Sequence, residues 1–408
     1  MRIVLFTGKG GVGKTTLAAA TAAQLARSGR KALVVSTDPA HSLGDALEAD
    51  LAGDPAEVDG LGGLFAAHVD ARGLAEGAWE RLREHLRTLL AGAGVDELVA
   101  DELTVLPGVE ELLALGAVRR AAQSGPWDVV VVDCGPTAET LRLLALPEAV
   151  GGYLERLFPA HRRAVRGLLA GATRQAAERW DRTADALDLL ADDLAGLRGM
   201  LRAPGTGIRL VLTPERMVAA ETRRTLTALA LHGLRVDGLV ANRLVPAPPP
   251  AATGAAADWL RERATEQAAV LAELGGAGPP LRTVGYRAAE PTGVAALLEL
   301  AHDLWGDDDP TADPADAPAE PLLRVRRTAG DGRSADSAFE LVLHLPGAGA
   351  GALDLARIGD DELAVTAAGV RRLVALPAAL RRCAVTGARL DGDDLRVAFR
   401  PDPTRWMR

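Results

Sequence analysis

A short segment rich in glycine and lysine near the start of the chain most constrains its fold. Residues 2–7 are mostly apolar and β-rich, residues 8–16 have the sequence GKGGVGKTT, and residues 17–27 form an alanine- and leucine-rich helical pattern. This is the P-loop pattern GxxxxGK(S/T) between a strand and a helix, where backbone N–H groups bind phosphate at the helix N-terminus. The predicted phosphate-binding residues are Gly8, Lys9, Gly10, Gly11, Val12, Gly13, Lys14, Thr15 and Thr16.

Three side chains of this segment have predicted roles on the phosphates. Lys14 is expected to bridge the β- and γ-phosphates, and the Thr15 hydroxyl to bind Mg²⁺. Lys9 directly follows the first glycine, which is where deviant Walker A loops carry a second lysine. Resemblance to that group implies that Lys9 reaches the phosphates of a facing subunit; the alternative is an exposed loop lysine.

Two carboxylates follow apolar runs that are typical of buried strands. Asp38 comes shortly after residues 31–36, and Asp133 directly follows residues 127–132. Because the carboxyl ends of adjacent parallel strands face one crevice, both carboxylates are expected near the P-loop. Asp133 is predicted to hold Mg²⁺ through water, and Asp38 to orient or deprotonate the attacking water. The alternative for each is a helix-capping aspartate.

Composition excludes several other classes of protein. The 408 residues are enough for two or three domains, and the formal charge of −9 argues against a chain whose main partner is nucleic acid. The two cysteines, Cys134 and Cys383, are too few for a disulfide framework or a cysteine-rich zinc module. No long apolar stretch and no signal peptide is recognisable, so a cytoplasmic protein is expected.

Seven segments resemble the ArsA family of P-loop ATPases, which includes the targeting ATPases for tail-anchored membrane proteins. They occur in family order from residue 1 to about residue 305. The segments are KGGVGKTT (9–16), STDPAHSLGDAL (36–47), PGVEELLAL (107–115), DCGPTAETLRLLALP (133–147), LTPERMVAAETRR (212–224), ANRLVP (241–246) and EPTGVAAL (290–297).

The resemblance implies Mg²⁺-dependent ATP hydrolysis by a homodimer. Its catalytic residues would be Asp38, in the first switch segment, together with Lys9 and Lys14. A second switch segment that responds to the γ-phosphate would contain Asp133, Gly135, Pro136 and Thr137. The adenine site would consist of Asn242 and of Tyr286, Glu290 and Pro291, which close over the base.

The chain departs from its relatives at three places. Eukaryotic targeting ATPases carry a CxxC zinc clamp where residues 246–253 here have the sequence PAPPPAAT, so no zinc is expected. Arsenite-stimulated ArsA enzymes need clustered thiolates and two fused ATPase halves, whereas this chain has two cysteines and one P-loop. The second switch contains PTAET (136–140) where the targeting ATPases have PTGHT.

The predicted fold class is α/β, a doubly wound, mostly parallel sheet with helical insertions, followed by an all-β sandwich. Residues 1–305 form the predicted ATPase domain, with further short apolar runs at 209–213, 236–241 and 281–286. The insertions, about 72–125 and 150–205, show helical periodicity. By the resemblance they form an apolar groove for a hydrophobic helix; an ordinary amphipathic bundle is the alternative.

The carboxyl-terminal part of the chain differs in composition from the predicted ATPase domain. Residues 306–321 are acidic and rich in proline and alanine, as in a linker. Residues 322–402 contain short β-rich runs separated by glycine- and aspartate-containing turns, which predicts a small sandwich. This region resembles the α-crystallin-type small heat-shock domain appended to some ArsA-like proteins. It supports a chaperone-like role; an appendage that only stabilises the dimer is the alternative.

These observations predict an ATPase whose nucleotide-driven homodimer closure controls binding of hydrophobic clients, such as tail-anchored proteins. Membrane contact would then be indirect, and no nucleic acid partner is expected. One alternative is a partner-regulated positioning ATPase similar to ParA and MinD. The other is a metalloid- or anion-transport ATPase subunit, which the shortage of thiols disfavours.

Overall fold

A computed structural model describes residues 1–70, 73–74, 109–135, 192–193, 195–275, 278–312, 323–349, 351 and 353–406. Most of both predicted helical insertions, including the predicted groove, therefore lies outside the described residues. Pro136 and Thr137 of the second switch also lie outside them. Within the insertions, residues 109–123 and 195–202 are helical.

The amino-terminal three quarters of the chain contain an eight-stranded sheet, which confirms the predicted α/β class. Its strands are β1 (Arg2–Gly8), β2 (Ala32–Ser36), β3 (Ala56–Glu57), β4 (Leu64–His68), β5 (Val129–Asp133), β6 (Thr206–Leu212), β7 (Val236–Leu244) and β8 (Leu281–Gly285). The strand order is β3-β4-β2-β5-β1-β6-β7-β8. Strand β1 is thus internal, with later strands on both sides, as in a doubly wound sheet.

Besides the helical segment 195–202, six helices accompany this sheet among the described residues. They are α1 (Lys14–Arg27), α2 (Ser42–Leu47), α3 (Val109–Gln123), α4 (Arg216–Leu231), α5 (Ala255–Leu274) and α6 (Gly293–Trp305). Helix α4 ends where Leu234 N–H bonds to the Leu229 carbonyl and Gly233 adopts a φ of 74°. This left-handed closure is typical of a helix terminus.

The chain divides into two compact units, and the first contains β2 to β5. It comprises Met1–Ile3, Ala18–Thr206 and Thr292–Val294. Strand β2 pairs in parallel with both β4 and β5, and the short β3 is antiparallel to β4. All residues of β2 and β5 are buried, as expected for parallel strands covered on both faces.

The second unit contains the P-loop and the carboxyl-terminal part of the chain. It comprises Val4–Leu17, Gly207–Pro291 and Ala295–Arg408. Strand β7 pairs in parallel with β6 and with β8. The unit also contains helices α4 and α5.

The predicted all-β region forms two antiparallel sheets. Their strands are β9 (Leu323–Ala329), β10 (Ala338–His344), β11 (Leu353–Ile358), β12 (Glu362–Ala367), β13 (Val370–Ala375), β14 (Cys383–Asp391) and β15 (Asp394–Pro401), with helix α7 (Ala378–Arg381) before β14. The sheet orders are β14-β15-β10-β9 and β11-β12-β13. Side chains from both sheets share one buried core, which makes the region a sandwich.

Candidate nucleotide site

The P-loop joins β1 to α1 through backbone positions that require glycine. A Cβ at Gly8 would lie 2.1 Å from the Val211 carbonyl oxygen of β6. Gly13 has a φ of 91°, and a Cβ there would lie 2.4 Å from Nδ2 of Asn242. At Gly10 and Gly11, by contrast, an added Cβ would meet open space. The loop is thus packed tightly at both ends and open in the middle, where a phosphate would bind.

Lys14 is a buried cation at the start of α1. Its side chain is folded back so that Nζ donates a hydrogen bond to the Lys9 carbonyl at 3.2 Å. The first turn of α1 contains no acidic residue. A helix N-terminus carries partial positive charge, so it and the ammonium together favour an anion. The loop therefore fits the phosphates of a nucleotide.

Lys9 lies on the exposed part of the same loop. Its Nζ pairs with Glu221 Oε2 of α4 at 3.5 Å, and both side chains are at least one third exposed. The ammonium is therefore close to the P-loop but is held by a carboxylate of the same chain. The P-loop motif predicts the position of Lys9, but nothing in the sequence indicates Glu221 as its partner, because the two residues are far apart in the chain.

The predicted adenine-site residues have separate surroundings. Asn242 Nδ2 donates to the Val12 carbonyl at 2.9 Å, so the structure places this side chain against the P-loop. Tyr286 is 61% exposed at the end of β8, and its backbone N–H bonds to the Leu244 carbonyl. Glu290 is also exposed, and Pro291 is half-buried. Contact of any of them with adenine remains a prediction.

Asp38 and Asp133 meet through Ser36, within the first unit. The pairing of β2 with β5 places Ser36 opposite Asp133. The Ser36 hydroxyl donates to Asp133 Oδ2 at 2.9 Å and accepts the backbone N–H of Asp38 at 3.2 Å. Asp133 is fully buried, whereas Asp38 is half-buried. One hydroxyl therefore links the carboxylate at the end of β5 to the start of the first switch.

Thr37 reinforces this link. Its backbone N–H bonds to the Asp133 carbonyl at 2.9 Å, and its hydroxyl accepts the Gly135 N–H at 3.4 Å. Asp38 Oδ1 accepts the Ala40 N–H at 3.0 Å, which closes a turn before α2. The described parts of both predicted switch segments are thus joined by hydrogen bonds at the ends of two neighbouring strands.

A pair of histidines, which sequence reasoning missed, supports the first switch. His41 adopts a left-handed φ of 57° just before α2, and its ring stacks on that of His68 with centroids 4.0 Å apart. His68 is buried at the end of β4, opposite Ser36. Burial, followed by the neighbouring His41, lowers the pKa of His68 below 6.5. His68 is therefore neutral near pH 7, and its stacked contact with His41 supports the turn that contains Asp38.

The donor atoms predicted for a metal suit Mg²⁺. The predicted ligands are the Thr15 hydroxyl and, through water, the Asp133 carboxylate; both are hard oxygen donors. Mg²⁺ keeps several waters and is shared with phosphate, so few protein ligands are needed. Among the residues that the structure describes, no three His, Cys, Asp or Glu side chains come together as a metal site.

Comparison with known proteins identifies the family. Residues 1–306 match the family model described as anion-transporting ATPase, ArsA ATPase. The chain belongs to the ArsA ATPase family. Residues 336–399 match a second model, the HSP20-like domain found in ArsA, which confirms the predicted resemblance to a small heat-shock domain. The chain is thus a P-loop ATP hydrolase with an appended HSP20-like domain.

Named relatives differ in how much of the chain they match. Protein Rv2184c of Mycobacterium tuberculosis is 40% identical over 99% of this chain and 97% of its own length. A putative arsenical pump-driving ATPase of Chlorobaculum tepidum is 33% identical over 93% of this chain and 91% of its own length. ATPase GET3 of Phaeosphaeria nodorum is 28% identical over 60% of this chain and 77% of its own length.

Proposed function

We propose that this ArsA-family ATPase binds ATP and Mg²⁺, closes as a homodimer and thereby controls the binding of hydrophobic client proteins. In this proposal Lys14 and Thr15 bind phosphate and metal, and Asp133 holds the metal through water. Asp38 orients or deprotonates the attacking water, and Lys9 reaches the phosphates of the facing subunit. Mg²⁺ would neutralise charge that develops between the β- and γ-phosphates.

The Ser36 hydroxyl bridge is the observation that carries this proposal. In this proposal Asp133 holds the metal and responds to the γ-phosphate. Asp133 is one hydrogen bond from Ser36, and Ser36 is one hydrogen bond from Asp38. Movement at Asp133 would therefore change the geometry of the first switch. Switch segments that respond to a γ-phosphate are a general way to turn nucleotide state into a conformational change.

Two features favour the hypothesis of hydrophobic clients over the alternatives of a positioning ATPase and a metalloid-transport ATPase. One relative is named ATPase GET3. The resemblance of this chain to the targeting ATPases implies a groove for a hydrophobic helix. The HSP20-like domain adds a chaperone-type module. The metalloid alternative has support from the name of another relative, the putative arsenical pump-driving ATPase. Both cysteines here are buried, however, and thiolates are the ligands that such a site needs.

A client-binding experiment tests the proposal. The Asp38→Asn variant, trapped with ATP, is mixed with a soluble carrier that ends in a single apolar helix, and co-elution is measured by size-exclusion chromatography. The carrier is expected to co-elute with the protein when ATP is present and to separate from it when ADP is present, because only the ATP form is closed. A matched carrier with two arginines inside the helix is the control, since charge opposes burial in an apolar groove.

Three results would decide against hydrophobic clients. The first is equal binding of both carriers, and the second is carrier binding that is the same with ATP and with ADP. Stimulation of wild-type turnover by arsenite, without carrier binding, would favour the hypothesis of a metalloid-transport ATPase instead.

A further inference from the structure

Lys9 is unusual in the composition of the chain. Of the 46 lysines and arginines, only Lys9, Lys14 and Lys31 are lysines, and two of them lie in the P-loop. Arginine and lysine are not interchangeable, because lysine carries a compact charge on a flexible stem. Such a side chain can exchange one anionic partner for another with little rearrangement. The partner that it has in this structure is therefore informative.

That partner is Glu221, at 3.5 Å on α4. Two neighbouring charged groups have other partners: Arg223 of the same helix pairs with Glu273 at 3.1 Å, and Glu215, the residue before the helix, pairs with Arg263 at 3.0 Å. Glu221 is only half-buried, so its attraction for Lys9 is modest and can be overcome by a nucleotide phosphate.

The two P-loop lysines are also linked to each other. The Lys9 carbonyl accepts the hydrogen bond from Lys14 Nζ, while the Lys9 side chain pairs with Glu221. When Lys14 turns to a phosphate, its bond to the Lys9 carbonyl is exchanged for the phosphate. The backbone at Lys9 then loses one of its restraints, while the Lys9 side chain keeps its pair with Glu221.

Helix α4 fixes Glu221 because its other end is anchored in the sandwich. Thr227 Oγ1 donates to the Pro346 carbonyl at 2.8 Å, and Arg372 of β13 donates to the Leu231 carbonyl. Leu231 is fully buried and belongs to the core of the sandwich, together with residues of β10 and β12. The carboxylate is therefore presented by a helix that is clamped a few turns away.

We propose that Glu221 is a positioning residue that holds Lys9 against α4 of its own chain until the phosphates of a facing subunit compete for it. This inference rests on the proposed role of Lys9 across a dimer. Glu221 thus opposes dimer closure in the absence of nucleotide, and its pair with Lys9 is exchanged for the phosphate when the dimer closes.

Self-association with a non-hydrolysed ATP analogue, followed by sedimentation velocity, tests the inference. Glu221→Gln is expected to strengthen association about two- to thirtyfold, because closure of a homodimer exchanges two exposed ion pairs. Glu215→Gln is the matched control, because it also removes an ion-paired carboxylate, directly before α4, and it is expected to leave association unchanged. In a Lys9→Met background, Glu221→Gln is expected to have no effect, because the competing cation is absent.

A spectroscopic readout separates positioning from a structural role. With three lysines, the chain labelled with ¹³Cε-lysine gives three assignable side-chain signals. In the nucleotide-free protein, Glu221→Gln is expected to shift the Lys9 signal and to leave the Lys31 signal in place. Identical Lys9 signals in the two proteins would overturn the inference.

The association data distinguish this inference from the proposed function. If the wild type associates with nucleotide and Glu221→Gln matches it, Glu221 has no positioning role. The same conclusion follows if Glu221→Gln changes association equally with and without Lys9. If the wild type does not associate at all with nucleotide, the proposed homodimer closure fails, and the exchange of Lys9 fails with it.

Discussion

An Asp38→Asn variant is expected to bind ATP as the wild type does, while its turnover falls by about 10²- to 10⁴-fold, the usual contribution of a general base. Asparagine keeps the Oδ1 atom that accepts the Ala40 N–H, so the turn before α2 can form. The Ser36 bond to the backbone of residue 38 is also kept. The negative charge and the proton acceptor are lost, and both act on the attacking water.

Two measurements on the purified variant check this expectation: equilibrium binding of a fluorescent ATP analogue and single-turnover release of phosphate. Asp50→Asn is a suitable control, since Asp50 is an exposed aspartate outside the switch. An Asp38→Asn protein with wild-type turnover would show that another group serves the water. Parallel loss of binding and turnover would place Asp38 in nucleotide binding instead.

A Lys14→Met variant is expected to lose turnover by about 10²- to 10³-fold, the typical cost of removing one donor from a developing charge. Methionine has a similar length and removes the ammonium, whose described partner here is only the Lys9 carbonyl. Since Lys14 is buried, replacement by an apolar side chain is not expected to lower the melting temperature. ATP binding is expected to weaken as well, because the charge acts on the bound phosphates.

Lys31→Met provides the matched control, because Lys31 is exposed and lies over the rings of Phe65 and Trp127. Steady-state turnover, nucleotide affinity and thermal melting are measured on both variants. Unchanged turnover in Lys14→Met would contradict the assignment of the P-loop. A large drop in melting temperature would show that Lys14 is needed for folding.

Local patterns were sufficient to predict the P-loop and the ends of the central strands. The apolar run before Gly8 and the valine run before Asp133 are strands because they are buried on both faces. Strand β6 begins at Thr206, three residues before the predicted start, because Thr206 and Gly207 lack the apolar character that marks a buried strand.

Other elements carry weak local signals. Strand β4, LFAAH, is short and was not predicted, so the stacked His41 and His68 were missed with it. Strand β9, LRVRRTA, is mostly exposed and rich in arginine, which conceals its pairing with β10. Charged edge strands of this kind are common because they discourage pairing with other chains.

Contacts between distant parts of the chain have no signature in a single sequence. The pair formed by Lys9 and Glu221 depends on how α4 follows β6, and the Asn242 bond to Val12 depends on strand order. The bridge from Asp38 to Asp133 was predicted only as proximity. Its connecting atom, the Ser36 hydroxyl, became evident from the register of β2 and β5.

Mixing two inactive variants tests the proposed dimer site most directly. Lys9→Met keeps its own Lys14 but offers no lysine to a facing subunit, whereas Lys14→Met lacks its own phosphate-binding lysine but keeps Lys9. If Lys9 acts across a twofold interface, an equal mixture forms mixed dimers with one complete site, and ATP turnover recovers to about a quarter of the wild-type rate. If Lys9 acts within its own chain, the mixture stays as inactive as its components, and the proposed homodimer mechanism is contradicted.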